Sequence, residues 1–151
     1  MEKKIDDSSL SRRSFIGNSG KIAGVGAMAG VTLPMVHGRN DDTTKIALVG
    51  CGGRGTGAAS NALSVSLANG PTKLVAMADV FQHKLDSSYN GLKKKHKDKV
   101  EVSPDNKHIG FDGYKKAMDA LDKGDVAIFT TPCAFRWVHY EYAIKKGLNV
   151  F

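Results

Sequence analysis

At 151 residues, 41% hydrophobic and 25% charged, the chain has the make-up of a globular protein with one domain of common size and a core large enough to stand alone. Its formal charge of +7 is unevenly placed: residues 1–40 hold six Lys/Arg against three Asp/Glu, and residues 41–151 hold sixteen against twelve. That mild excess argues against nucleic-acid binding through bulk charge, and two cysteines without CxxC or paired-histidine spacing argue against a disulfide framework or a metal site.

The first element in chain order is an address. A charged start containing Arg12 and Arg13 leads into an uncharged stretch, Ile22 to Val36, diluted by Gly24, Gly26, Gly30 and Pro34. Fifteen residues fall short of the roughly 20 that a membrane span needs. The pattern is that of an export signal rather than an element of the fold. Ser11-Arg12-Arg13-Ser14-Phe15-Ile16 resembles the twin-arginine consensus, including the aromatic residue two places after the pair. That route carries folded cargo, which implies a protein that acquires something in the cytoplasm before it is exported to the periplasm or the outer side of the cytoplasmic membrane. Residues 1–43 are therefore read as signal and linker, with "HGRNDDTT" (37–44) as the linking stretch.

From residue 44 the pattern alternates. "KIALVG" (45–50) reads as a buried strand that stops at glycine, and residues 56–68 offer a helical face through Ala58, Ala59, Ala62, Leu63 and Leu67. "NGP" (69–71) breaks it. "KLVAMADV" (73–80) is a second strand ending on Asp79, followed by a helix from Gln82 to Lys97. "VEV" (100–102) reads as a short third strand and "SPDNKHIGFDG" (103–113) as turn-rich surface. Tyr114–Leu121 is helical, "DVAIFTTP" (125–132) a buried strand ended by proline, and Arg136–Lys146 a helix closed by Gly147. "LNVF" opens one more strand. The alternation predicts an α/β fold: a Rossmann-like, doubly wound parallel sheet over residues 44–151.

The run "ALVGCGGRGTG" (47–57) carries the chemistry. Gly50-x-Gly52-x-x-Gly55 has the dinucleotide fingerprint spacing in the required context of strand, loop and helix. The first glycine makes the tight turn, the second lets backbone approach a pyrophosphate, and the third packs helix on strand. Gly53 and Arg54 lie inside the same loop, Arg54 as a phosphate contact or as a solvent-facing side chain. The helix N-terminus beyond supplies amide donors for phosphate. Asp79, 24 residues after Gly55, stands where an acid can accept ribose hydroxyls; its other reading is a helix N-cap. No basic residue follows Asp79 directly, so NAD is favoured over NADP.

The loop "TTPCAF" (130–135) should face the same crevice as the glycines, which would bring Cys51 and Cys133 to the cofactor unless both are ordinary loop residues. His139 and Tyr140 lie on the next helix as proton-donor candidates or as helix surface, and Trp137 is expected to pack. "KKKHKDK" (Lys93–Lys99) reads as a solvated helix end, with no interleaved aromatics to stack nucleic-acid bases.

With the fingerprint, "ADVF", "GYKKAMD", "DVAIFTTP" and "AIKKGLNVF" in this order, the chain resembles the Gfo/Idh/MocA oxidoreductases over about residues 44–151. The resemblance implies that Gly50, Gly52, Gly55 and Asp79 contact NAD, and that Thr131 and Pro132 match the family's Thr-Pro loop beside the nicotinamide. The family places a histidine soon after that proline; here His139 comes seven residues later. It also places a lysine, within Glu-Lys-Pro, directly after the counterparts of Gly147, Val150 and Phe151, so no catalytic residue is assigned inside these 151. The implied whole is an exported, NAD-dependent, homo-oligomeric oxidoreductase acting on a sugar or polyol by hydride transfer. This chain would be its nucleotide-binding half, cut before the α/β substrate domain and inactive alone. A redox-neutral glycoside hydrolase of the same superfamily and a non-catalytic NAD-binding fragment are the alternatives.

Overall fold

Apolar runs uninterrupted by charge form strands buried on both faces, and the chain supplies two of them for the middle of its sheet. In the computed structural model, which describes residues 43–65 and 70–151, β1 (Thr44–Val49) pairs in parallel with β2 (Thr72–Asp79) on one side and β4 (Val126–Phe129) on the other. β3 (Lys107–Ile109) and β5 (Asn149–Val150) are the edges, giving the order β3-β2-β1-β4-β5, all parallel. The export signal with Arg12 and Arg13, and part of the "NGP" break, lie outside the described residues.

The helices divide between the two faces. α1 (Gly53–Ser64) and α2 (Gln82–His96) bury Ala59, Leu63, Leu85 and Leu92 against Ile46, Leu48, Leu74, Met77 and Ile128. α3 (Gly113–Asp119) and α4 (Cys133–Lys145) bury Tyr114, Ala117, Met118 and Ala143 against Ala47, Val49, Ala76, Ala78, Ala127 and Phe129. Successive β1 residues thus serve opposite cores, the double winding that the alternation of strands and helices predicts. β2 departs from strict alternation. Ile46 pairs with Leu74 and Ala47 with Ala76, so Val75 is an extra residue, and the Asn106 side-chain amide donates to its carbonyl at 3.1 Å.

The third strand is a correction. Val100 makes only an isolated bridge to Leu74, and the ladder resumes at Lys107–Ile109, after a 3-10 turn at Pro104–Asn106, inside the stretch expected to be surface turn. Val100 and Val102 are buried because they cover the α1/α2 core. The true edge strand carries Lys107 and His108, the polar character that protects an exposed edge. α2 ends one residue early because Lys97 takes φ 42°, and Gly147, with φ 70°, closes α4 as expected. The lysine-rich end of α2 does more than face solvent. Lys93 Nζ donates to the Val100 carbonyl (2.8 Å), Lys99 Nζ to the Leu63 carbonyl (2.7 Å), and Lys95 Nζ to Ser60 Oγ (2.8 Å).

Candidate functional site

The strand order reverses between β1 and β4, and the ends of those two strands carry the glycine loop and the Thr130–Pro132 loop. Gly50 continues the β1–β2 ladder by one bond, its amide donating to the Ala78 carbonyl at 2.8 Å. It then turns with φ 97°, and a Cβ there would lie 2.9 Å from Thr130 Oγ1 and 3.0 Å from the Thr131 nitrogen. A Cβ on Gly55 would lie 2.0 Å from the Gly50 carbonyl oxygen and 2.5 Å from Thr130 Oγ1. These two glycines are therefore required by the protein's own packing.

Gly52 and Gly53 differ. Apart from the adjoining turn of its own chain, neither would place a Cβ within 4 Å of a protein atom, so the space before them is open. Gly52 is the N-cap of α1, with no side chain capping the helix and no acid in its first turn. The first-turn amides lack intrahelical acceptors and point outward with the positive end of the helix dipole. Arg54 is exposed on that first turn. A cavity of about 720 Å³ begins at this loop and runs between α1 and α2, past Thr56, His83, Lys84 and Ser88. It is not lined by Thr131 or Pro132, so the open volume leads along the helices rather than across to the β4 loop.

Asp79 is not the N-cap of α2; Phe81 holds that position without a side-chain cap. The Asp79 carboxylate instead takes the Cys51 amide on Oδ2 (2.6 Å) and the Phe81 amide on Oδ1 (2.9 Å). Each oxygen keeps lone-pair capacity for a further donor. Cys51 sends its side chain inward, 3% exposed, with Sγ 3.5 Å from the Ala78 carbonyl. Burial first, and the charge of Asp79 second, push its thiol up to about 12, so it is inert at neutral pH. Of the two readings of Cys51, cofactor-facing or ordinary loop residue, the inward thiol favours the second, although the residue itself lies at the mouth of the cavity beside Gly52. Cys133 is exposed at the start of α4.

Thr130, which the sequence did not single out, links the two loops: its hydroxyl donates to the Gly50 carbonyl at 2.6 Å. Thr131 follows, with its carbonyl accepting from Arg136 Nε at 2.7 Å and its hydroxyl 3.2 Å from His139 Nδ1. Pro132 is the N-cap of α4. His139 does not lie on the helix surface. It is 7% exposed, with Tyr114 and Phe129 ring centroids at 4.3 and 5.7 Å, and burial lowers its pKa. Tyr140 is exposed, and Trp137, expected to pack, is 69% exposed. The fold brings Gly50, Gly55, Thr130 and Thr131 into one contact group and hangs Gly52 and Gly53 beside it, with Arg54 exposed on the same turn. Among the described residues, no group of three or more His, Cys, Asp or Glu could hold a metal ion, and no helix is long and apolar enough to cross a membrane.

No protein-family model matches this chain, and none of the curated proteins matches it. The strand order is that of a Rossmann-like, doubly wound α/β fold, with the glycine loop at the end of β1 where the order reverses.

Proposed function

We propose that residues 44–151 bind NAD, in preference to NADP, as the nucleotide-binding part of an exported oxidoreductase of the Gfo/Idh/MocA type that acts on a sugar or polyol. The observation that carries the reading is the division within one loop. Gly50 and Gly55 are small because protein atoms crowd them, whereas Gly52 and Gly53 are small with nothing in front of them. Side chains there would fill the space that a pyrophosphate needs, at the end of a helix with unpaired amides. Asp79 stands at the adjacent strand end with acceptor capacity left for ribose hydroxyls, and its charge disfavours a 2′-phosphate. Thr131 and Pro132 take the nicotinamide half. When bound, NAD supplies a hydride acceptor; the chain's own residues bind and orient it, and none of them is assigned a proton-transfer step.

Titration calorimetry on the full chain tests the reading. One saturable site for NAD is expected, with weaker binding of NADP and loss of binding in Gly52→Val while circular dichroism stays unchanged. A folded chain that gives no saturable heat with NAD overturns it.

A further inference from the structure

Asp79 sits at a junction of three loops. Its own carbonyl accepts the Gly110 amide at 3.1 Å, just past β3. One carboxylate oxygen holds the Phe81 amide, at the turn into α2, and the other holds the Cys51 amide, in the glycine loop. In a strand successive amides alternate sides, so the residue after Gly50 would turn its amide away from β2; the left-handed turn at Gly50 (φ 97°) breaks that alternation. Gly50 gives its amide to the Ala78 carbonyl of β2, and the Cys51 amide that follows is taken by the Asp79 carboxylate at the end of the same strand. Residue 51 is thereby held on both sides, its amide by Asp79 and its thiol by Ala78, immediately before Gly52 and the open first turn of α1.

We infer that Asp79 is a positioning residue for the glycine loop: through the Cys51 amide it sets the backbone that receives the pyrophosphate, in addition to facing the ribose. The inference rests on the dinucleotide reading above for its ligand, but the clamp itself is a property of the free protein. An asparagine cannot replace it. One of its two polar atoms is a donor, which would face a backbone N–H and break one of the two bridges.

The test uses the full chain and Asp79→Asn. Without ligand, amide hydrogen exchange at Cys51 or Phe81 is expected to quicken by about tenfold, the loss of one charge-assisted hydrogen bond, while Leu48 and Ile128 are unchanged. Binding is then compared for ADP and for 2′,3′-dideoxy-ADP, which lacks the ribose hydroxyls. A positioning role weakens both. A pure ribose contact weakens ADP alone, and that result, or unchanged exchange, overturns the inference. In the unsubstituted chain, a scalar coupling across the hydrogen bond from the Cys51 nitrogen to Asp79 Cγ is expected, and its absence overturns the clamp even if Asp79→Asn does not fold. An unsubstituted chain that binds neither nucleotide sinks the dinucleotide reading instead, with exchange and coupling still deciding the clamp.

Discussion

A methyl group on Gly55 would sit 2.0 Å from the Gly50 carbonyl oxygen, so Gly55→Ala must push α1 away from the end of β1. Urea unfolding is expected to register a loss of about 2–3 kcal/mol, the cost of overpacking a closed contact. Gly52→Ala meets no atom beyond the adjoining residues and is expected to cost under about 1 kcal/mol, the scale of an N-cap change, yet to weaken the proposed NAD binding in the same preparation. The spacing of these glycines was legible because backbone proximity admits no other residue at Gly50 and Gly55. His139 was not legible. Only His139 and Ala143 of α4 are buried, one turn apart, while the bulky Trp137, Tyr140 and Ile144 face out, so apolar bulk pointed to the wrong side of the helix. Burial lowers the pKa of His139, and burial with nearby lysines lowers those of His96 and His108. The unfolded chain therefore binds more protons than the folded one just below the ordinary imidazole value of about 6.5. Stability is expected to be full above that value and to fall as pH drops through it. His139→Phe should flatten the slope of unfolding free energy between pH 7.5 and 5.5, and an unchanged slope would assign the effect elsewhere.

Elements of this fold are fastened at both ends of the sheet. At the amino ends, Asp125 is fully buried, and its carboxylate accepts the Lys45 amide (2.9 Å) and the Asp122 amide (2.8 Å), tying β1 to the turn before β4. Asp125→Ala leaves both donors inside without that acceptor, and a loss of about 3 kcal/mol is expected in denaturant unfolding, with the glycine loop at the far end unaffected. Strands β1, β2 and β4 could be read from their apolar runs, which only a sheet covered on both faces explains. β3 could not. An edge strand of three residues, Lys107–Ile109, has no apolar signature, and the alternating Val100 and Val102 imitate one because they cap the helix-side core. The extra residue Val75 was equally hidden, since its carbonyl is satisfied by Asn106, a partner that no local pattern announces.

For the molecule as a whole, the export proposal makes a demand on timing: cargo of a twin-arginine route must be folded before it leaves the cytoplasm. Replacing both Arg12 and Arg13 by Lys in the full chain is expected to leave folded protein in the cytoplasm, measured by fractionation and protease resistance. Equal export of the substituted chain would remove the signal reading and leave the fold untouched. The arrangement of β1 sharpens that demand. Its partners on the β4 side lie 80 residues away, for the Gly50–Thr130 contact and for the Lys45–Asp125 contact alike. While the chain is being made, β1 and β2 can meet early, but the middle of the sheet keeps one open flank until β4 emerges. Contacts so distant in sequence form slowly, and an unpaired apolar strand is a surface on which nascent chains stick to each other. The feature that places the glycine loop at the centre of the sheet is thus also the one that delays its assembly, leaving an apolar flank uncovered until β4 has been made.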